Sequence, residues 1–433
     1  MRSYRNQLIF HPVGQGGFIT GQLFDHRSGA FDPEDLKLTY VYDCGSEPHQ
    51  GTLNRVIDKF ANTALTTTID ILTISHFDAD HRNGLSRLLN RFHVKLVLLP
   101  YAPLDVRLAD SMAGGAGGGD THFARNPTQF IMERAERRVD RIAYVRGSGP
   151  DDKGEEGERS PILISLDDEP DLREGARPEV RRLDEYDLSP ENPEVYSEAA
   201  AEGLTHSAGR TTILPSNCVL LSSIWEFAPY NDQKWKPRHP EAFADAVARL
   251  REDLTQARGR SSSALSQLRR LYDEQFGDTS PARNRISLSL YTGPKSHATE
   301  RNNSALTWRS LPQGPFTQFV NDRGKYGQLL TGDADYKVQA FKRLCRHPSF
   351  RERIEHIGVF QAPHHGSRHN WHKGLADKLK PDATVFCADP NYIYGHPDIE
   401  VLHDVLTRRT FLANGQQGVV IDTKLNYPDQ LRL

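Results

Sequence analysis

The sequence predicts a layered α/β protein, and three observations carry that prediction. Short apolar runs recur along the chain, each long enough for a buried strand and too short for a helix. Segments with helical spacing alternate with these runs, which is the pattern of layered α/β folds. Several of the runs stop abruptly in His, Asp, Gly and Ser, and strand ends are where open sheets present function.

Taken in order, Leu8-Ile9-Phe10 and Phe18-Ile19-Thr20 read as two strands joined by the glycine-dense turn His11 to Gly17. A hairpin turn is preferred there to a phosphate loop, because no Lys-Ser/Thr follows the glycines. A further run, Leu38 to Tyr42, leads into Asp43-Cys44-Gly45-Ser46, and Asn54 to Thr63 has helical spacing. Ile71, Leu72 and Ile74 then form a strand-length run that ends in Ser75 and a dense group of ligand-type residues, His76, Asp78, Asp80 and His81. Asn83 and Gly84 turn the chain toward a helix from Leu85. Imidazoles and carboxylates this close can hold one divalent cation or share two, and they suit zinc or manganese better than a soft metal. A calcium loop does not fit: Arg82, Asn83 and Leu89 occupy its fifth, glycine and glutamate positions. A helix cap needs fewer ligand groups than these four.

Composition bounds the remaining classes. The 433 residues leave room for two or three domains, or for one large domain with insertions. A formal net charge of −3 gives no global basic field, so any nucleic-acid contact needs a local patch. The cysteines Cys44, Cys218, Cys345 and Cys387 stand alone, which argues against a disulfide framework or a thiolate zinc site and fits a reducing compartment. No signal peptide is evident at Met1 to Asn6, and no apolar stretch approaches the ~20 residues of a membrane span. The expectation is a soluble cytoplasmic protein with no membrane partner.

After Val94 to Leu99, another apolar run, the character changes. Residues 105–210 are crowded with Gly, Asp, Glu, Pro and Arg, and read as a flexible polar insertion with a helix over Pro127 to Arg138. It is either a solvated elaboration or a substrate lid. The division expected is therefore 1–104, the insertion 105–210, and 211–433 with a helical insertion near 240–280. Cys218 to Trp225 reads as one central strand. Glu241 to Phe276 reads as one or two amphipathic helices whose arginines form a solvated face or a nucleic-acid groove. Ile286 to Tyr291 reads as a strand after Asn284-Arg285. Three more runs then end in ligand-bearing loops: Gly327 to Leu330 before Gly332-Asp333, Ile357 to Phe360 before His364-His365-Gly366-Ser367, and Thr384 to Phe386 before Tyr394-Gly395-His396-Pro397.

Together, Ser75-His76-Phe77-Asp78-Ala79-Asp80-His81, Gly332-Asp333, His364-His365-Gly366-Ser367 and Tyr394-Gly395-His396-Pro397 resemble the metallo-β-lactamase superfamily. The H-x-D-x-D-H and H-H-G-S variants are most similar to the hydrolase domain of the ComEC competence protein and its stand-alone bacterial relatives. The turns at Val13 to Gly16 and Tyr42 to Gly45 match as well. The resemblance covers Leu8 to Pro100 and about Thr211 to Thr423, and leaves the insertion unexplained.

It implies an αββα sandwich with one or two metal ions, zinc or manganese, at one sheet edge. His76 and Asp78 would serve the first ion, Asp80 and His81 the second, and Asp333 would bridge. One of His364 and His365 would complete a shell, and His396 would ligate or contact substrate. Asp78 stands where the family has a second histidine, which favours a harder metal such as manganese. His122, His206 and His297 read as ordinary loop histidines. The implied activity is metal-dependent hydrolysis of a phosphodiester in nucleic acid or a nucleotide, with Asp80 or Asp333 taking a proton from water and His365 or His396 meeting the leaving oxygen. Ser75 or Ser367 would orient ligands. Arg82, Arg285, Ser367, Arg368 and Lys373 are the candidates for substrate contact, and Trp371 for stacking. The alternatives are a hydrolase of small esters, thioesters or lactones, and a partner-dependent regulatory subunit. The stand-alone relatives also imply protein partners in a bacterial defence system.

Overall fold

Strands that are apolar on both faces need covering on both faces, so a sheet built from the runs above has to be sandwiched. The protein was analysed as a computed structural model, which describes residues 2–25, 32–47, 50–110, 121–136, 138–148, 160–166, 180–189, 193–205, 210–222, 224–232, 238–256, 262–276, 286–295, 305–311, 317–319 and 324–427. In chain order the strands are β1 (Arg2–Phe10), β2 (Phe18–Asp25), β3 (Leu36–Cys44), β4 (Thr68–Thr73), β5 (His93–Pro100), β6 (Val139–Val145), β7 (Ile162–Ser165), β8 (Arg181–Arg182), β9 (Arg210–Leu214) and β10 (Cys218–Ser222). They continue with β11 (Trp225–Asn231), β12 (Leu288–Pro294), β13 (Ala305–Leu311), β14 (Thr317–Phe319), β15 (Gly327–Leu330), β16 (Ile357–Gln361), β17 (Ala383–Cys387), β18 (Arg409–Ala413) and β19 (Gly418–Tyr427).

A 10-stranded sheet has the order β14-β13-β19-β1-β2-β3-β4-β5-β6-β9, and a 9-stranded sheet the order β18-β17-β16-β15-β12-β11-β10-β7-β8. Both are mixed. The run β3 to β9 is parallel in the first sheet, and β15 to β18 in the second. Parallel neighbours need crossovers, which the helices Gln50–Thr63, Leu85–Arg91, Val338–Arg346 and Leu375–Leu379 supply.

The layering follows from which residues pack together. One core lies between the sheets: Leu8, Tyr40, Ile71 and Leu98 from the first meet Phe227, Leu290, Leu330 and Val359 from the second. The outer face of the first sheet is covered by helical residues such as Leu53, Ile57, Leu88 and Ile131. Phe341, Leu344, Leu375 and Val401 cover the outer face of the second. The spacing of Leu53, Ile57 and Phe60 turns one stripe of the helix Gln50–Thr63 inward. The result is an αββα sandwich.

The structure refines several expectations. The glycine turn is a hairpin connection, since β1 and β2 pair antiparallel. Cys218 to Trp225 is not one strand: Ser222 ends β10 and pairs with Trp225, the first residue of β11. The serines at 222–223 interrupt the apolar run that suggested a single element. Part of the segment read as a flexible insertion is built into the sandwich, because β6 lies between β5 and β9 and buries Ala143 and Val145 in the inter-sheet core. Its apolar run Ile142 to Val145 was obscured by the charged sequence on either side. Pro127–Arg134 is a helix, shorter than expected, and β6 follows it. The helices Pro240–Gln256 and Ser262–Phe276 pack Phe243, Val247, Leu268 and Tyr272 onto Leu104 and Leu108. Among the described residues no helix is long and apolar enough to cross a membrane.

Candidate metal centre

The site forms where four strands end. Ser75 and His76 leave β4 fully buried, ahead of the single helical turn Ala79–Arg82 that carries Asp80 and His81. Asp333 follows β15 through Gly332, whose φ of +51° and tight seat against Ser75 suit glycine: a Cβ there would lie 2.5 Å from the Ser75 hydroxyl. His364 and His365 follow β16, and His396 follows β17.

Asp333 divides the centre into two lobes. Its Oδ2 lies 3.7 Å from His76 Nε2 and 3.4 Å from His364 Nε2, and Asp78 Oδ2 approaches the same His76 nitrogen at 3.9 Å. Its Oδ1 lies 3.2 Å from His81 Nε2 and 3.7 Å from His365 Nε2. Asp80 Oδ2 completes that lobe, 3.5 Å from His81 Nε2 and 3.2 Å from His365 Nε2. Two grouped sets, His76 with Asp80 and His81, and His81 with Asp333 and His365, place one ligand atom from each residue within 4.8 Å of the others.

The outer nitrogens determine what the inner ones can do. Asp43, buried at the end of β3, accepts from Ser75 N at 2.7 Å and from the Ser75 hydroxyl at 2.9 Å, and its Oδ2 accepts from His81 Nδ1 at 2.7 Å. The Ser75 oxygen, its own proton given to Asp43, accepts from His76 Nδ1 at 2.9 Å. Asn370 donates to the Asp333 carbonyl, so its Oδ1 is the acceptor for His364 Nδ1 at 2.8 Å. The Cys387 carbonyl accepts from His365 Nδ1 at 2.6 Å. With each Nδ1 engaged by an outer partner, all four imidazoles turn Nε2 inward, the nitrogen whose lone pair is available to a metal when the ring is neutral. The Nε2 atoms of His76 and His81 are buried and make no hydrogen bond.

His81 Nε2 and His365 Nε2 lie against carboxylate oxygens at 3.2 Å, a spacing that either a proton on the imidazole or a cation shared by the two groups holds. Two donors each about 2.1 Å from a shared ion lie roughly 3.0–3.5 Å apart, so the separations of 3.2–3.5 Å among Asp80, His81, His365, His364 and Asp333 fit ligands of a divalent cation, whereas His76 stands farther from Asp333 and Asp78, at 3.7 and 3.9 Å. The donor set, nitrogen and oxygen without thiolate, suits a divalent cation rather than a soft metal.

Electrostatics agree. Burial opposes charge on His81, yet the carboxylates of Asp80, Asp43 and Asp333 raise its pKa well above the usual value. The same field favours a cation. His76 lacks enough compensation, and burial followed by the charge of His81 lowers it to about 3. Burial pushes Asp80 up, but His81 and His365 outweigh it and hold the carboxyl at about 2. Backbone strain is concentrated here too. Asp43, His364 and His365 have φ of 58°, 46° and 57°, and Lys380 is the one other non-glycine residue with positive φ among the described residues.

The remaining candidates divide between rim and core. Asp80 and His396 have side chains 15% and 13% exposed and lie on the open side; burial, then His365 and His364, lower His396 to about 4. Arg82 is buried, donates to the Phe77 carbonyl at 2.8 Å and lies over the Phe123 ring, so it does not face a substrate. Trp371 is likewise core: it packs on Phe360 and donates to Asp404 at 3.0 Å, which removes it as a stacking surface. Ser367 is buried and caps the turn Arg368–Asn370. Arg368 pairs with Glu400 at 3.1 Å, Lys373 is exposed, and Arg285 lies outside the described residues, as do His206 and His297. His122 stands against Phe130, on the helix Thr121–Arg125.

Sequence reasoning missed Asp43 and Asn370. A charged residue closing the apolar run Leu38 to Tyr42 was a signal for the first. Asn370 carried none, because its role depends on where His364 lies.

Fold and site together define the chain as an αββα sandwich with a buried imidazole–carboxylate centre at the strand ends. No family model and no curated protein matches the sequence. Among solved structures the chain is similar to a metallo-β-lactamase fold protein, YhfI from Bacillus subtilis, at 9% identity and a TM-score of 0.34, over 96% of this chain and 98% of that one.

Proposed function

We propose that the protein is a metal-dependent hydrolase, with a phosphodiester in nucleic acid or a nucleotide as its substrate. The observation that carries this reading is the inward set of Nε2 atoms arranged on both sides of Asp333. His76, Asp78, His364 and one Asp333 oxygen would hold one ion; Asp80, His81, His365 and the other Asp333 oxygen would hold a second. Zinc or manganese, if held there, would supply a water of lowered pKa, toward ~7, and charge neutralisation at a phosphoryl oxygen. Asp80, the most open carboxylate of the centre, takes the proton of the attacking water. Asp43 and Ser75 keep His81 and His76 in one tautomer throughout. His396, beyond the two lobes, is the imidazole left to meet the leaving oxygen.

One observation favours a second reading, hydrolysis of small esters, thioesters or lactones. Arg82 and Trp371 are buried and the exposed Arg368 is paired with Glu400, so Arg368 and Lys373 are the exposed cations in the described part of that set. The test is cleavage of single- and double-stranded DNA and RNA, and of bis-p-nitrophenyl phosphate, with manganese or zinc, beside an Asp80→Ala, His81→Ala double variant. Cleavage lost in the variant supports a phosphodiesterase. No phosphodiester cleavage by protein shown to carry the metal overturns it, and turnover of small esters then selects the second reading; no turnover at all selects a partner-dependent subunit.

A further inference from the structure

With Trp371 in the core, and Tyr42 and Phe77 beside the centre fully buried, the open aromatic ring near the centre among the described residues is Tyr394 in the loop after β17. Tyr394 stacks on His396 at 6.1 Å with ring planes 21° apart, and Tyr392 stands edge-on to Tyr394 at 5.3 Å. His396 in turn lies 6.1 Å from the His364 ring, so a continuous series of rings leads from one lobe of the centre to solvent. The outer end is open: Tyr394 is 47% exposed and the neighbouring Ile393 80%. Partial burial, then the charges of Glu47, Asp80 and Asp78, raise the Tyr394 phenol above its usual value, so this ring feels the carboxylates of the site.

The loop is anchored. Tyr392 N donates to Asp389 O and Gly395 N to Tyr392 O, both at 2.9 Å, and Asp389 N donates to the Gln15 side chain. At the far end Asp398 N donates to Gly366 O, and the Asp398 carboxylate accepts from Arg368 N. A large ring held in water by an ordered loop has no packing reason to be there. It offers a flat face at low entropic cost.

We propose that Tyr394, backed by His396 and flanked by Tyr392, is a stacking platform for the planar base of a nucleotide whose phosphoryl group sits at the metal centre. The proposal rests on the phosphodiesterase reading and names the group recognised beside the scissile ester. Affinity for the base then comes from stacking, which tolerates any base, while the phosphate is met at the centre.

The experiment separates this from hydrolysis by measuring binding. Affinities of adenosine 5′-monophosphate and of ribose 5-phosphate, which lacks the base, are determined by calorimetry on the full chain with manganese present, and a short oligonucleotide shows whether a free nucleotide or a strand is preferred. The native protein is expected to prefer the nucleotide by about 5- to 150-fold, the range for one stacked base. Tyr394→Ala is expected to collapse that ratio toward one, and Tyr394→Trp to keep it. Equal affinities in the native protein, or a preference that survives Tyr394→Ala, would overturn the platform. Loss of the hydrolase reading appears separately, as nucleotide binding without turnover of any diester.

Discussion

Replacing Asp43 by Asn is the most informative single change, because it alters hydrogen-bond chemistry at constant shape. The native carboxylate accepts from Ser75 N, from the Ser75 hydroxyl and from His81 Nδ1. An amide has one acceptor oxygen and one donor nitrogen. If the oxygen faces Ser75 N, the NH₂ meets the His81 and Ser75 protons; if it is flipped, the NH₂ meets the Ser75 amide. Relief in the first case requires His81 to move its proton to Nε2, which then points into the centre and blocks a ligand position. Removing an outer partner of a metal-binding histidine typically costs 10- to 100-fold in metal affinity, about 1.4–2.7 kcal/mol. Fold stability should change less, since burial already pushes the Asp43 carboxyl up and the lost charge was costly to bury. Manganese and zinc affinities by calorimetry, beside thermal unfolding of the metal-free protein, measure both. Unchanged metal affinity in a folded Asp43→Asn protein would refute the tautomer argument and the centre built on it.

Three further outcomes follow from the geometry. In Gly45→Ala the new Cβ would lie 2.4 Å from the Asp80 carbonyl group and 2.5 Å from Arg82 N, all backbone, so denaturant unfolding should show a loss of about 1–3 kcal/mol, with weaker metal binding because the loop that moves carries Asp80. Arg353 and Glu226 form a buried pair, with hydrogen bonds of 2.8 and 2.7 Å; Arg353→Leu alone should cost about 3–5 kcal/mol, while the double change Arg353→Leu, Glu226→Met should be close to neutral, which a double-mutant cycle reads directly. His347, lowered by burial from 6.5 to about 4, contributes stability that is fully present above pH 6.5 and lost as pH falls toward 4, because the unfolded chain takes up the proton first. That contribution is up to about 3 kcal/mol, and unfolding at pH 7 and pH 5 should show a smaller acid loss in His347→Gln than in the native protein.

The sequence by itself determined the strand ends and the ligand types. Short apolar runs stopping at His76, Asp333, His364 and His396 are local patterns, and each strand end is legible without knowing its neighbours. Periodicity likewise located helices within 54–63 and 241–276, since an amphipathic stripe is written in consecutive residues. The tertiary structure alone decided which groups meet. That Asp333 stands between two lobes depends on β15 lying beside β16, and on that sheet facing β4 across the core. That Arg82 and Trp371 are packing residues while Tyr394 is open depends on which surface each neighbour covers. The strand β6, inside a segment whose composition reads as loop, is stable because the sheet supplies partners on both edges and a core on both faces. Local pattern records what a residue can do; burial and approach distance, which select among those possibilities, exist only once residues far apart in the chain are brought together.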